Sequence, residues 1–269
     1  MVRVMILFVA TICLLGFAPS TYGFEGDVSA FMYESKHVGQ NDKYHKEGIR
    51  KNILIVPHTS RPDDLTLVVW FHGLGGFTEK TFKRVISQLS LPAQEGHSIA
   101  VLIPEMPWSA NTSTPRKRQG RVWKKPRQFR LFLDEAVALL KSDFYKRKNI
   151  EIAPPRVVVI GHSAGGSAIM SASVEGSLCD PRVERVIWSD ASYGYWLQKA
   201  NKGCLSSSVI HQDVVVRKWD KPHTQSKKFF RVKRKASGYK HIVLDRKRFS
   251  HSKIGNKIVD IVNLFPPGC

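Results

Sequence analysis

Residues 156–166 read RVVVIGHSAGG, and this stretch decides the fold. The first five residues are apolar and rich in valine apart from Arg156, as a short buried strand requires. A small-residue helix is predicted directly after Gly165. A serine in this context fits a tight strand-to-helix turn that exposes its hydroxyl at the sheet edge. We therefore predict that Ser163 is a nucleophile, held in a turn by Gly161, His162 and Gly165.

Two other interpretations of this turn are weaker. A phosphate-binding loop would need a Gly-Lys-Ser/Thr sequence or a G-x-G-x-x-G pattern, and the stretch has neither. An ordinary glycine-rich turn of a doubly wound fold is the other alternative, but the strand before the motif and the helix after it are the context that a nucleophile turn requires. The nucleophile is therefore the preferred hypothesis.

Strand-like and helix-like stretches alternate along the rest of the chain. Alternation of this kind implies crossover connections and a mostly parallel sheet. No repeat or Gly/Ser linker divides the 269 residues, so we predict a single α/β domain of about eight strands with helices on both faces. The expected strands include residues 65–71, 98–104, 156–160, 183–188, 210–216 and 241–244; the expected helices lie at 78–89, 129–140, after 165 and at 254–265.

A serine hydroxyl needs a neighbouring base to take its proton. His251 follows the last expected strand and precedes the last helix, so a loop there returns to the sheet edge that carries Ser163. An orienting acid is expected between serine and histidine in the chain. Asp190 follows the strand at 183–188 and is followed by small residues, whereas Asp220 lies among lysines. We favour Asp190 and keep Asp220 as the alternative acid.

Backbone donors for an oxyanion are expected beside the serine. Residues 72–76 read HGLGG and follow the strand at 65–71. A glycine-rich turn lets main-chain N–H groups point into a site. We predict Leu74 as one donor and Ala164, just after the nucleophile, as the other.

Taken in this order, the HGLGG turn, the GHSAGG turn, a later acid and a histidine near the C-terminus resemble the α/β-hydrolase superfamily. Within it, the chain looks most like secreted esterases and lipases. The resemblance implies a sheet ordered 1-2-4-3-5-6-7-8, with the acid usually after strand 7; Asp190 would follow strand 6 and depart from that pattern. It also implies that Cys179 and Cys204 lie at one edge and form a disulfide, for which Cys269 could compete.

The first 23 residues have the pattern of a secretory signal. Arg3 provides a positive start, residues 4–18 are an apolar run, and small residues precede position 24. The run is shorter than the roughly 20 apolar residues that span a bilayer. We therefore expect a signal peptide at 1–23, a mature domain at 24–269, and a secreted or periplasmic location.

Positive charge is concentrated in two segments of a chain whose net charge is +20. Residues 115–130 contain eight basic residues and no acid, and residues 217–253 contain fourteen basic residues and two acids. Residues 108–126 are expected to be a lid or long loop. In the resembling fold, much of this charge would ring the mouth of the site and attract anionic substrates or an anionic envelope surface.

These observations predict an exported serine hydrolase that cleaves a carboxylic ester through an acyl-enzyme. No metal or organic cofactor is expected, because the sequence has no H-E-x-x-H motif and no Cys/His cluster. One alternative is a peptidase or amidase that uses the same three residues. Another is a non-catalytic polyanion-binding protein, in which Trp123 and Phe129 stack on bases. Export makes intracellular nucleic acid an unexpected partner.

Overall fold

The computed structural model describes residues 20–22, 28–37, 51–73, 78–89, 98–106, 122–203, 210–215, 224–229, 239–245, 249–255 and 257–263. Several predictions concern residues outside these ranges and stay predictions. They involve most of the 1–23 leader, most of the 108–126 loop, and Leu74, Cys204, Asp220 and Cys269.

The described residues form a sheet of nine strands, not eight, in the order β1-β2-β3-β5-β4-β6-β7-β8-β9. The first three strands are antiparallel to their neighbours, and β4 to β9 run parallel. The strands are β1 (Ser20–Tyr22), β2 (Val28–Tyr33), β3 (Asn52–Pro57), β4 (Leu65–Phe71), β5 (Ser98–Ile103), β6 (Arg156–His162), β7 (Val183–Ser189), β8 (Ile210–Val215) and β9 (Tyr239–Val243).

The additional strand, β1, lies inside the predicted leader. It pairs with β2 at the edge of the sheet. Strands β2 to β9 alone have the 1-2-4-3-5-6-7-8 order that the resemblance implies.

Helices cover both faces of the sheet. Alternate side chains of β4 point to opposite faces: Val69 and Phe71 join one apolar core, and Val68 and Trp70 join the other. Helices α2, α3 and α4 contribute to the first core, and α1, α6 and α7 contribute to the second. The helices are α1 (Glu79–Leu89), α2 (Gln128–Lys148), α3 (Gly166–Glu175), α4 (Trp196–Lys202), α5 (residues 224–229), α6 (His251–Ile254) and α7 (Ile258–Asn263).

The aromatic residues of the first basic segment belong to the core. Val122–Lys124 forms a 3₁₀ turn at the end of the stretch that was expected to be a loop. Trp123 and Phe129 are fully buried, and the Trp123 ring centroid lies 5.1 Å from that of Phe71. The expectation that they stack on nucleic-acid bases is therefore wrong, since their rings fill the space between α2 and the sheet.

Cys179 ends a 3₁₀ turn that follows α3, and it is disulfide-bonded. Because its predicted partner Cys204 and the competitor Cys269 lie outside the described residues, the identity of the partner stays a prediction. In the described part of the chain, no helix has the length and apolarity needed to cross a bilayer.

Candidate active site

Ser163 lies at the carboxyl end of β6, where the chain turns sharply into α3. Its φ is +50°, in the left-handed region that non-glycine residues rarely adopt. Close packing holds this turn, because a Cβ on Gly165 would lie 2.1 Å from the carbonyl oxygen of Phe71 in β4. Backbone held in such a conformation is concentrated at functional sites. The serine is thus at the strand tip, as predicted.

His251 is the side chain that meets the serine hydroxyl. Its Nε2 lies 2.9 Å from Ser163 Oγ. His251 begins α6, whose N-terminus is capped by the Ser250 hydroxyl accepting from Lys253 N–H at 3.3 Å. This cap fixes the turn that carries the imidazole. The histidine side chain is 38% exposed, so the solvent side of the pair is open to a substrate.

Asp190 completes a hydrogen-bonded chain of three side chains. It follows β7 directly, and its Oδ2 lies 2.5 Å from His251 Nδ1. An ionised carboxylate only accepts, so Nδ1 carries the hydrogen and Nε2 of the neutral ring accepts from the serine hydroxyl. The Asp190 side chain is only 4% exposed, which strengthens its interaction with the imidazole.

The structure describes one of the two predicted oxyanion donors, Ala164, but not the other, Leu74. Ala164 is buried and follows Ser163 in a 3₁₀ turn, Ser163–Gly165. Leu74 lies outside the described residues. The residue before it, Gly73, comes close to the serine, since a Cβ there would lie 3.3 Å from Ser163 Cβ. The start of the HGLGG turn therefore passes beside Ser163.

His162 connects the segments that carry these groups. Its Nδ1 donates to the carbonyl oxygen of Ser189 at 3.0 Å, and its ring centroid lies 4.8 Å from that of His251. A Cβ on Gly255, just after α6, would lie 2.5 Å from His162 Cδ2. Burial, together with repulsion from His251, lowers the pKa of His162 to about 4. At neutral pH it is therefore an uncharged packing group beside His251.

Sequence reasoning assigned His162 only to the turn and overlooked the aromatic residues after Asp190. Tyr193 lies next to His251, with the two ring centroids 6.4 Å apart, and Trp196 lies next to Tyr193. The available signal was three aromatic residues within 193–196, directly after the candidate acid.

No family model and no curated protein matches this sequence. Solved structures do match. An IroE-like serine hydrolase from Shewanella oneidensis superposes with a TM-score of 0.55 and 13% identity, over 88% of this chain and 80% of that one. A cold-adapted esterase from an Arctic intertidal metagenomic library gives 0.50 and 11%, over 93% and 99%. Esterase B from Lactobacillus rhamnosis, inhibited by a tributyrin phosphonate, gives 0.50 and 15%, over 89% and 85%. At identities this low, the similarity shows the fold alone.

The chain has the α/β-hydrolase fold.

Within this fold, Asp190 follows the sixth of the eight strands β2 to β9, and it is the carboxylate that meets His251. The alternative Asp220 lies outside the described residues. Among the residues that are described, no group of three or more His, Cys, Asp or Glu side chains is arranged to hold a metal ion.

Proposed function

We propose that this protein is an exported serine hydrolase that cleaves a carboxylic ester through a covalent acyl-enzyme. The observation that carries the proposal is the hydrogen-bonded chain from Ser163 Oγ through His251 to Asp190. The solved structures with the same fold include a serine hydrolase and two esterases. Those names support an ester as the bond that is cleaved.

In the first half of the proposed reaction, His251 Nε2 takes the proton of Ser163 as Oγ attacks the ester carbonyl carbon. Asp190 holds the imidazole by Nδ1 and stabilises the imidazolium that forms. The negative charge on the carbonyl oxygen is met by the N–H of Ala164, with Leu74 as the proposed second donor. His251 then gives its proton to the leaving alkoxide, and the acyl group remains on Ser163.

In the second half, water replaces the alcohol. His251 takes a proton from the water, whose oxygen attacks the acyl carbon. Collapse of the second tetrahedral intermediate breaks the bond to Oγ, and His251 returns the proton to Ser163. The products are a carboxylic acid, an alcohol and the starting enzyme, without a metal or organic cofactor.

Labelling with a fluorophosphonate probe tests the nucleophile. Wild type and Ser87→Ala are expected to label, because Ser87 lies on the exposed face of α1. Ser163→Ala should not label, and His251→Ala should label far more slowly. A folded wild type that stays unlabelled would contradict the proposal.

Cleavage of an amide by the same three residues is the rival reaction. A matched pair, 4-nitrophenyl acetate and 4-nitroacetanilide, distinguishes the two. We expect a higher kcat/KM for the ester, and equal or faster amide cleavage would favour a peptidase or amidase.

The preference for an anionic substrate or envelope surface rests on the two basic segments, 115–130 and 217–253. Lys253 is a basic residue of the second segment that the structure describes. It is exposed and lies two positions after His251. We expect kcat/KM for a succinate half-ester to fall with added salt, since salt screens such attraction. Lys253→Gln should weaken that salt dependence, whereas Lys141→Gln on α2 should not. A salt dependence equal to that of a neutral ester would contradict the preference.

Export rests on the leader-like residues 1–23. Cleavage after Gly23 would remove β1 and leave β2 to β9 in place. N-terminal sequencing of protein recovered outside the cytoplasm should begin at Phe24. An exported protein that begins at Met1 would contradict the cleavage.

A further inference from the structure

Three aromatic residues, Tyr193, Tyr195 and Trp196, directly follow the segment that carries Asp190. The chain folds back on itself here: Tyr193 N–H donates to the Ala191 carbonyl at 2.9 Å, and Trp196 N–H donates to the Tyr193 carbonyl at 3.2 Å. The first bond ties Tyr193 to the residue after Asp190, and the second ties Trp196 to Tyr193. We call these three residues the aromatic wall.

The aromatic wall extends outward from the imidazole. The Tyr193 ring meets His251 at a centroid distance of 6.4 Å and an angle of 87°, and it meets Trp196 at 5.9 Å and 66°. Tyr195 is 68% exposed, more than any other large hydrophobic residue in the described part of the chain. Tyr193 and Trp196 are half-buried, so the apolar surface beside His251 is partly open, as a ligand-binding surface requires.

The chemistry of the proposed reaction says which part of a substrate lies there. The acyl carbon is bonded to Ser163 Oγ, whereas the leaving oxygen must reach His251 Nε2 to receive its proton. A group attached to that oxygen therefore lies on the histidine side of the site. Tyr193 is the aromatic neighbour of this histidine.

We propose that the aromatic wall is a subsite for the alcohol portion of the ester and that this portion contains an aromatic ring. The proposal rests on the proposed function, because it requires an ester bond at Ser163. Aromatic rings pair edge-to-face or offset with one another, which favours a ring over a saturated group of equal size by about 2- to 12-fold. Tyr193, Tyr195 and Trp196 are thus specificity residues.

The test compares benzyl acetate with cyclohexylmethyl acetate, two esters with the same acyl group and leaving groups of similar size and basicity. Wild type should prefer the benzyl ester in kcat/KM. Tyr193→Leu, which keeps apolar bulk, should lower the benzyl-to-cyclohexylmethyl ratio by about 3- to 10-fold, and Tyr193→Phe should preserve it. Tyr145→Leu, at an exposed tyrosine on α2, is the control and should leave the ratio unchanged.

Active-site titration with the fluorophosphonate probe corrects each rate for the fraction of folded enzyme. If Tyr193→Leu does not fold, Tyr195→Leu repeats the comparison at a more exposed position. An unchanged ratio would overturn the aromatic subsite while leaving the hydrolase proposal intact. A ratio that changes only for benzoate against cyclohexanecarboxylate esters would place the ring on the acyl side and also overturn it. Failure of wild type to cleave any ester would reject the proposed function itself.

Discussion

The chain leaves β6 and β7 in the same backbone conformation. The strands are neighbours, with His162 paired to Ser189 in the parallel register. The next residue on each is Ser163 and Asp190, and both have a φ of +50°. In each case the chain leaves the strand through a left-handed residue that turns its side chain toward the site.

The two ends are held by consecutive glycines. A Cβ on Gly165 would lie 2.1 Å from the Phe71 carbonyl oxygen, which fixes the serine turn against β4. A Cβ on Gly166 would lie 2.6 Å from the Ala191 carbonyl oxygen, which brings α3 against the residue after Asp190. The last two glycines of the GHSAGG motif therefore pack against β4 and against the turn at Asp190. The motif contains the whole serine turn, whereas the turn at Asp190 lies elsewhere in the chain and only contacts the motif.

The largest expected effect comes from removing the group at the end of β6. Ser163→Ala should lower kcat for ester hydrolysis by about 10⁶-fold, because it removes the hydroxyl on which the proposed acyl-enzyme forms. Burst-phase and steady-state kinetics measure this loss, with Ser87→Ala as the control. A loss below about 10²-fold would be too small for a nucleophile.

The group at the end of β7 should matter less. Asp190→Asn should lower kcat by about 10⁴-fold, because the imidazole loses the partner that sets its tautomer. Asparagine tolerates a positive φ, so the melting temperature should change little. Asp220→Asn is the matched comparison. Should Asp220→Asn cause the larger loss, the assignment of the acid would be wrong.

The same difference explains which residues of the site could be predicted from the sequence. The serine turn is a local pattern of strand, small residues and helix, so its position follows from the sequence. Asp190 depends on contacts with His251 and with the start of α3, which are distant in the chain. Sequence reasoning therefore favoured Asp190 but could not exclude Asp220, and it overlooked that Gly166 packs against the acid's turn.

The sheet shows the same limit. The strand predicted at 65–71 has those bounds in β4, and the other five expected strands correspond to β5 to β9 within a few residues. The antiparallel strands β2 and β3 were not located, since they have no strand–helix alternation around them. Helix α4 was missed because seven residues give too little periodicity.

Gly165 offers a way to break the serine turn without touching a reacting group. Gly165→Ala should lower the free energy of unfolding by about 3 kcal/mol, because the methyl group overlaps the backbone of Phe71. Gly176→Ala is the control: its φ is +96°, but nothing lies within 4 Å of the added Cβ. That change should cost only about 1 kcal/mol of backbone strain. Urea denaturation measures both, and equal losses would mean that close packing does not hold the turn.

His162, which joins the two strand ends, should make stability depend on pH. Its pKa is about 4 in the folded protein and about 6.5 when unfolded. Between these values the unfolded chain binds more protons, so the free energy of unfolding falls as pH falls. The contribution lost between pH 7.5 and pH 5 is about 2 kcal/mol. His162→Asn, whose amide can still donate to the Ser189 carbonyl, should lack this part of the pH dependence. Urea denaturation at both pH values measures this change. If the free energy of unfolding fell equally in wild type and in His162→Asn, the prediction would be wrong.

The smallest effect isolates the backbone strain at the serine. Both Ser163→Gly and Ser163→Ala lack the Ser163 hydroxyl, but glycine accepts a φ of +50° without a Cβ clash. Ser163→Gly should therefore be more stable than Ser163→Ala by about 1 kcal/mol. Ser171 in the middle of α3 is the control: there glycine should be less stable than alanine by about 1 kcal/mol. Urea titration of the four variants measures the free energy of unfolding. The glycine variant should be the more stable of the two at position 163 and the less stable at position 171. The same sign at both would mean that the turn carries no strain, and that packing alone presents the hydroxyl to His251.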